Sequence, residues 1–179
     1  MAKSKEEWKV WGNVFDEFAI RTLFRLKSQG HFDRIEGPVS VGKESNVFRA
    51  FKDNERIIIK IYRLESCDFN RMYDYIKYDP RYINLKKHKR KIVFAWTHRE
   101  YRNLIKAREA GVSVPKPIAV LNNILCLEFI GDKEEISQKL KDKYPENPKK
   151  FFDEVIKNMQ KLYKLGLVHA DLSQFNILN

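Results

Sequence analysis

In the segment 167–179, His169-Ala170-Asp171 is followed five positions later by Asn176. Phosphoryl transfer needs a carboxylate to orient an attacking hydroxyl or water, and an oxygen ligand for magnesium close beyond it. A short loop supplying both suits that chemistry, and its place after a helical stretch and before an apolar run sharpens the reading. An Asx-rich turn, with Asp171 capping local amides, explains the same residues without any chemistry.

Lys60 interrupts the apolar run Ile57-Ile58-Ile59-Lys60-Ile61. A buried ammonium with no partner would cost several kcal/mol, roughly, so Lys60 either reaches solvent or meets an anion. Phosphates together with an acid would satisfy it. Glu100 can be that acid, since it lies on the helix after Lys60, where a kinase places the glutamate that pairs with its strand lysine. The same Glu100 also completes a capping box with Thr97, and one side chain cannot easily do both. Between two strand-like runs, Ser40-Val41-Gly42-Lys43-Glu44-Ser45-Asn46-Val47 offers a tight turn at Gly42. Its amides, Lys43 and the hydroxyls of Ser40 and Ser45 could face phosphate, although the stretch matches neither GxGxxG nor a P-loop and reads equally as a hairpin loop. Leu127-Glu128-Phe129-Ile130-Gly131 follows a strand and could present backbone groups to an adenine edge, or simply end that strand.

The elements that must position these residues follow from periodicity. Residues 13–29 read as a helix stopped by Gly30, and 31–41 as extended chain. Residues 45–51 and 56–62 form a hairpin around Lys52-Asp53-Asn54-Glu55. Residues 64–91, rich in charge and tyrosine, read as a partly mobile insertion with some helix. A capped helix is expected at 97–110, ended by Gly111. A second hairpin joins 118–121 to 124–129 around Asn122-Asn123, and helices are expected at 134–143 and 149–165. The order predicts an α+β fold with a sheet-rich first lobe and a helical second lobe sharing a cleft.

Composition narrows the class. Hydrophobic residues at 43% and aromatics at 13% supply enough apolar surface for a core and argue against general disorder. Lys and Arg number 35 against 24 acids, a net +11 that favours polyanionic partners such as RNA or nucleotides, or merely a solvated basic surface. Cys67 and Cys126 make no CxxC pair, so neither a zinc site nor a disulfide scaffold is suggested, and a reducing cytoplasmic setting is expected.

Taken in order, phosphate loop, strand lysine, helix glutamate, linker and HxDxxxxN follow the plan of a protein kinase. The local wording closely resembles the RIO family of atypical kinases from about residue 10 onward. Residues 40–47 look like its substitute for the glycine-rich loop, and Ile59-Lys60-Ile61-Tyr62-Arg63 like its lysine strand. Residues 96–104 with Ala110-Gly111-Val112-Ser113-Val114-Pro115-Lys116-Pro117 look like its glutamate helix and following turn. Residues 167–176 look like its catalytic loop. The charged insertion and the His169-Ala170-Asp171 wording fit the first RIO subfamily.

The resemblance implies a RIO protein-kinase-like fold: a helical extension over 1–30, an N-lobe over 31–130 with the insertion at about 64–91, and an incomplete C-lobe over 131–179. It implies that Lys60 contacts the α and β phosphates of ATP, Asp171 is the catalytic acid/base, Asn176 ligates magnesium (or manganese), and Glu128 and Ile130 make main-chain contacts to adenine. Glu100 becomes the partner of Lys60. Family members are Ser/Thr kinases that autophosphorylate and act largely as ATPase switches in maturation of the small ribosomal subunit. A pre-ribosomal particle and its rRNA are thus implied partners, with the 86–91 basic run suited to such a site. The resemblance also implies a second metal-binding aspartate and further helices, whereas no Asp or Glu follows Asp171 here. Weak ATP binding and near-zero turnover are therefore expected of the 179-residue chain, with Ile177 and Leu178 left as an exposed strand. A fragment, a split enzyme completed by a second chain, and a non-catalytic nucleotide- or rRNA-binding factor all fit that departure.

Overall fold

The computed structural model describes residues 15–132 and 135–179. Its elements, in chain order, are helix α1 (Glu17–Ser28), strands β1 (Arg34–Val41), β2 (Ser45–Lys52) and β3 (Glu55–Tyr62), helix α2 (Phe69–Ile76), a 3-10 turn (Pro80–Tyr82), helix α3 (Lys89–Glu109), strands β4 (Pro117–Leu121) and β5 (Ile124–Glu128), and helix α4 (Pro148–Lys164). This is the α+β arrangement expected. The strands form one sheet in the order β1-β2-β3-β5-β4. The chain falls into two units, one reaching to Tyr101 and including Pro117–Leu127, the other comprising Arg102–Lys116 and Glu128–Asn179. The 102–116 stretch groups with the second unit.

In the first unit, α1 starts where Asp16 accepts a hydrogen bond from the Ala19 amide at 2.7 Å, leaving the predicted start at 13 outside the described residues. Its buried Ala19, Leu23 and Leu26 pack on one sheet face with Phe48, Ala50, Ile57, Ile59, Ile61, Ala119, Ile124 and Cys126. Strand alternation dictates this: β2 buries every second residue, and Ile57, Ile59 and Ile61 share a face. Each buried leucine, isoleucine or phenylalanine there contributes about 1.5–3 kcal/mol by leaving water. Cys67 and Cys126 are both free and buried, and burial pushes the Cys126 thiol up to about 12.

The first hairpin turns where expected. Asp53 and Asn54 have φ of 49° and 66°, the left-handed pair of a type I′ turn, between the paired residues Lys52 and Glu55. In the second hairpin Asn122 has φ 53° and donates its amide to the Thr22 hydroxyl of α1 at 3.2 Å, while buried Asn123 donates to the Tyr62 carbonyl at 2.7 Å. Asn122→Ala is expected to cost about 1–2 kcal/mol in urea unfolding, because alanine resists this backbone conformation and cannot reach α1.

The 64–91 segment holds α2 and the 3-10 turn, anchored by Cys67 and Met72 against Tyr62, Ile92 and Val93. At its centre Asp79 accepts bonds from Arg81 at 2.6 Å and Arg99 at 3.2 Å. The Arg81 hydrogen bond chiefly holds the Asp79 carboxyl down to about 2. Because the folded-state value is depressed, its stabilisation is present above the unfolded carboxyl range near pH 4 and is lost as pH falls through about 2. Asp79→Asn should therefore destabilise by about 1 kcal/mol at neutral pH, given two partly exposed arginines, and the difference should vanish near pH 2 in chemical-denaturation curves.

Two expectations are corrected. The helix expected at 97–110 begins at Lys89, since 89–96 contains no breaker and buries Ile92 and Val93. Thr97 therefore lies inside the helix, its hydroxyl donating to the Val93 carbonyl at 2.8 Å, and it makes no capping box with Glu100. The helix expected at 134–143 is absent over the described residues 135–143. Short bridges replace it, Gly131 with Ile136 and Lys139 with Leu178. The Leu140 amide donates to the Ile177 carbonyl and the Asn179 amide to the Gln138 carbonyl, both at 2.9 Å. Ile177 and Leu178 thus have a backbone partner where an open strand was expected.

Candidate functional site

Lys60 and Tyr62 project from the β3 face opposite Ile59 and Ile61, because side chains alternate along a strand. On α3, Val93 and Trp96 pack into the cluster that contains Tyr62. Glu100 follows at helical spacing on the same stripe, so the packing that seats Trp96 also brings Glu100 to β3. The Lys60 Nζ donates to Glu100 Oε1 at 2.9 Å and to Oε2 at 3.1 Å. The Tyr62 hydroxyl donates to Glu100 Oε2 as well. The Lys60 ammonium also lies 4.8 Å from the centre of the Tyr62 ring. Lys60 is 24% and Glu100 26% exposed, so the ammonium is neither a solvent-facing edge lysine nor sealed away. Burial opposes the Lys60 charge, but Glu100 and Tyr62 outweigh it and raise its pKa above the ordinary lysine value. Burial and then the Glu100 charge raise the Tyr62 phenol, which stays protonated as a donor.

The 40–47 segment is a tight β1–β2 turn. Ser40 pairs with Val47 and Val41 with Asn46. The Gly42 amide donates to the Ser45 carbonyl at 3.0 Å, and a Cβ on Gly42 would come within 3.0 Å of that oxygen. The Ser66 hydroxyl donates to the Lys43 carbonyl at 2.7 Å and the Arg63 amide to the Glu44 carbonyl at 2.9 Å, pinning the turn to the chain after β3. Ser40 and Lys43 are exposed and Ser45 half-buried.

In the second unit the Glu128 amide donates to the Lys116 carbonyl at 2.8 Å. Its carboxylate accepts from the Lys116 amide at 2.8 Å and from Arg108 at 3.4 Å. The Ile130 carbonyl accepts from the Ser137 amide at 2.9 Å. The Glu128 carbonyl and the Ile130 N–H take no part in these bonds.

In the 167–179 segment, Ala170 takes φ 63°, a left-handed conformation uncommon for any residue but glycine. Asn176 donates its side-chain amide to the Asp171 carbonyl at 2.9 Å and to Asp171 Oδ2 at 2.8 Å. The Asp171 carboxylate is thus held by a side-chain amide, unlike the Asx turn that the sequence left open. With its amide hydrogens engaged, Asn176 keeps Oδ1 as an acceptor. Both Asp171 and Asn176 are exposed. Among the described residues no cluster of three or more His, Cys, Asp or Glu could hold a metal unaided. Magnesium commonly takes one or two protein oxygens and completes its shell with phosphate and water, so Asn176 Oδ1 beside Asp171 fits that ion. Of the sequence candidates, Lys60 joins Glu100 and Asp171 joins Asn176. Tyr62 was missed as a member of the first group, although a phenol two residues from Lys60 on one strand must share its face.

Comparison with known proteins bears on the family and the fold. The family described as RIO domain matches residues 46–179. The RIO-type serine/threonine-protein kinase Rio1 of Haloferax volcanii is 40% identical over 177 residues, and that of Methanocaldococcus jannaschii is 39% identical. Each alignment covers 98% of this chain and 61% of the relative, so the chain spans about three fifths of their length. Among solved structures, the Rio2 kinase of Chaetomium thermophilum in an ADP/Mg2+-phosphoaspartate complex superposes with a TM-score of 0.68 at 22% identity, over 88% of this chain and 44% of that one. The fold is the RIO kinase fold, and on the extent of the sequence matches this chain belongs to the RIO domain family.

Proposed function

We propose that the protein works as an ATP- and magnesium-dependent atypical Ser/Thr kinase or ATPase that autophosphorylates and serves small ribosomal subunit maturation in the cytoplasm. The observation that carries this reading is the Lys60–Glu100 pair, formed across 40 positions of sequence by a strand lysine and a helix glutamate. Bound ATP with magnesium supplies the phosphoryl group to be transferred. Lys60, oriented by Glu100, neutralises the α and β phosphates, while the 40–45 turn offers amides, Lys43 and the Ser40 and Ser45 hydroxyls. The Glu128 carbonyl and the Ile130 N–H read the adenine edge. Asp171 accepts the proton of the attacking hydroxyl, and Asn176 holds it in place while presenting Oδ1 to magnesium, or to manganese in its stead.

Titration with a fluorescent ATP analogue, with and without magnesium, tests the reading. Binding should strengthen with magnesium, and Asn176→Ala should remove that dependence. Equal affinity in chelator and in magnesium would count against it. A second reading, an rRNA-binding factor that uses the fold as a scaffold, draws on residues 77–91. These carry Lys77, Arg81, Lys86, Lys87, Lys89, Arg90 and Lys91 against the single acid Asp79, which is itself engaged by Arg81 and Arg99. Salt-sensitive RNA affinity untouched by Lys60→Ala would favour that reading.

A further inference from the structure

Glu100 has one donor that the kinase reading does not use. Tyr62 is only 5% exposed, and a buried phenol needs an acceptor for its hydroxyl. It donates to Oε2, the same oxygen that Lys60 reaches at 3.1 Å, while Lys60 reaches Oε1 at 2.9 Å. Tyr62 is fixed from the other side too, because its ring belongs to the cluster with Cys67, Met72, Ile92 and Val93. Its backbone is also held: its amide donates to the Asn123 carbonyl at 2.9 Å, and its carbonyl accepts from the Asn123 side chain at 2.7 Å. A long Glu side chain with a single flexible lysine partner would sample several rotamers. A second donor on a stiff, doubly anchored ring removes that freedom.

We propose that Tyr62 is a positioning residue: its hydroxyl fixes the Glu100 carboxylate on β3, so that Lys60 is held in one orientation by a partner that cannot swing away. Tyr62 also faces the ammonium with its ring, so the cation is oriented by a ring face from its own strand and by a carboxylate from α3. The functional weight of this clamp rests on the nucleotide-binding reading of Lys60 given above, whereas the clamp itself is a property of three side chains and can be read without nucleotide.

Tyr62→Phe keeps the ring, its packing and its face toward Lys60, and removes only the hydroxyl. The rate at which Lys60 is acylated by an amine-reactive ester, followed by peptide mass spectrometry against exposed lysines, reports how firmly the ammonium is held. Tyr62→Phe should raise that rate about three- to tenfold, as expected for losing one hydrogen bond to a charged group at a partly exposed site. In a Glu100→Ala background the same change should have no effect beyond about twofold, because the hydroxyl acts through Glu100. Equal rates in the natural protein and Tyr62→Phe would overturn the proposal, as would an equal acceleration in both backgrounds, which would mean loosened packing. Magnesium ATP added to each variant separates the two ideas. Failure of ATP to protect Lys60 in the natural protein defeats the nucleotide reading alone, while the acylation rates decide the role of Tyr62.

Discussion

Lys60→Met is expected to weaken magnesium-nucleotide binding by about tenfold or more, the equivalent of one or two charge-assisted hydrogen bonds to phosphate. Methionine matches the length and the apolar stem of lysine, so the strand keeps its packing and only the charge is lost. The variant has a second consequence. Glu100 is left with Tyr62 as its remaining partner at the site, a carboxylate about three quarters buried without its cation. Removing one member of a fully buried pair costs about 3–5 kcal/mol, and partial exposure reduces this to about 1–3 kcal/mol here. Lys60→Met/Glu100→Leu removes the unpaired charge but leaves the Tyr62 hydroxyl without its acceptor, so it should recover only part of the stability and none of the affinity. Fluorescence titration and urea unfolding on the same samples measure both. Affinity within twofold of the natural protein would remove Lys60 from any phosphate site.

Asp171→Ala is expected to lower whatever magnesium-dependent phosphoryl transfer the protein supports by about 10²–10⁴-fold, the usual contribution of a positioned acid–base group, with nucleotide affinity nearly unchanged. The geometry separates the two effects, since Asp171→Ala removes the Asn176 bond to Oδ2 but keeps the one to the backbone carbonyl, so Asn176 retains an anchor in the loop. Radiolabel transfer from ATP reads the first quantity and equilibrium titration the second. A parallel loss of both would assign Asp171 to binding and not to chemistry. The loop should tolerate the change, because Asp171 is exposed and Ala170, at φ 63°, already bears the strained backbone position.

Much of this architecture was legible because period and punctuation agreed. Asp53-Asn54 and Asn122 are residues that accept left-handed backbone, and both hairpins turn on them. Ile57, Ile59 and Ile61 announce a buried strand face, and Lys60 stands out because it breaks that run. Thr97 misled for a physical reason: a Thr-x-x-Glu signature is local, whereas the helix start is decided by Ile92 and Val93 finding apolar partners near Tyr62. Glu100 was open between cap and ion pair in the sequence, and only the true start of α3 frees it for Lys60. Residues 135–143 show periodic polarity that reads as helix, yet the Leu140 and Lys141 amides bond to the Ile177 and Gln174 carbonyls and the Gln138 carbonyl to the Asn179 amide, a pairing far along the chain that no local pattern encodes. Tyr62 was overlooked because an aromatic in an apolar strand passes as core, and its hydroxyl matters only once Glu100 is placed.

The two buried thiols have a practical reach. A thiolate is the species that attacks maleimides, and burial suppresses it at both native positions by pushing each thiol above its ordinary range. A cysteine introduced at an exposed position, such as Tyr78 or Val168, would then be the dominant site of dye attachment without first stripping the natural ones. Paired dyes at chosen places could follow the protein by energy transfer in its native sequence background.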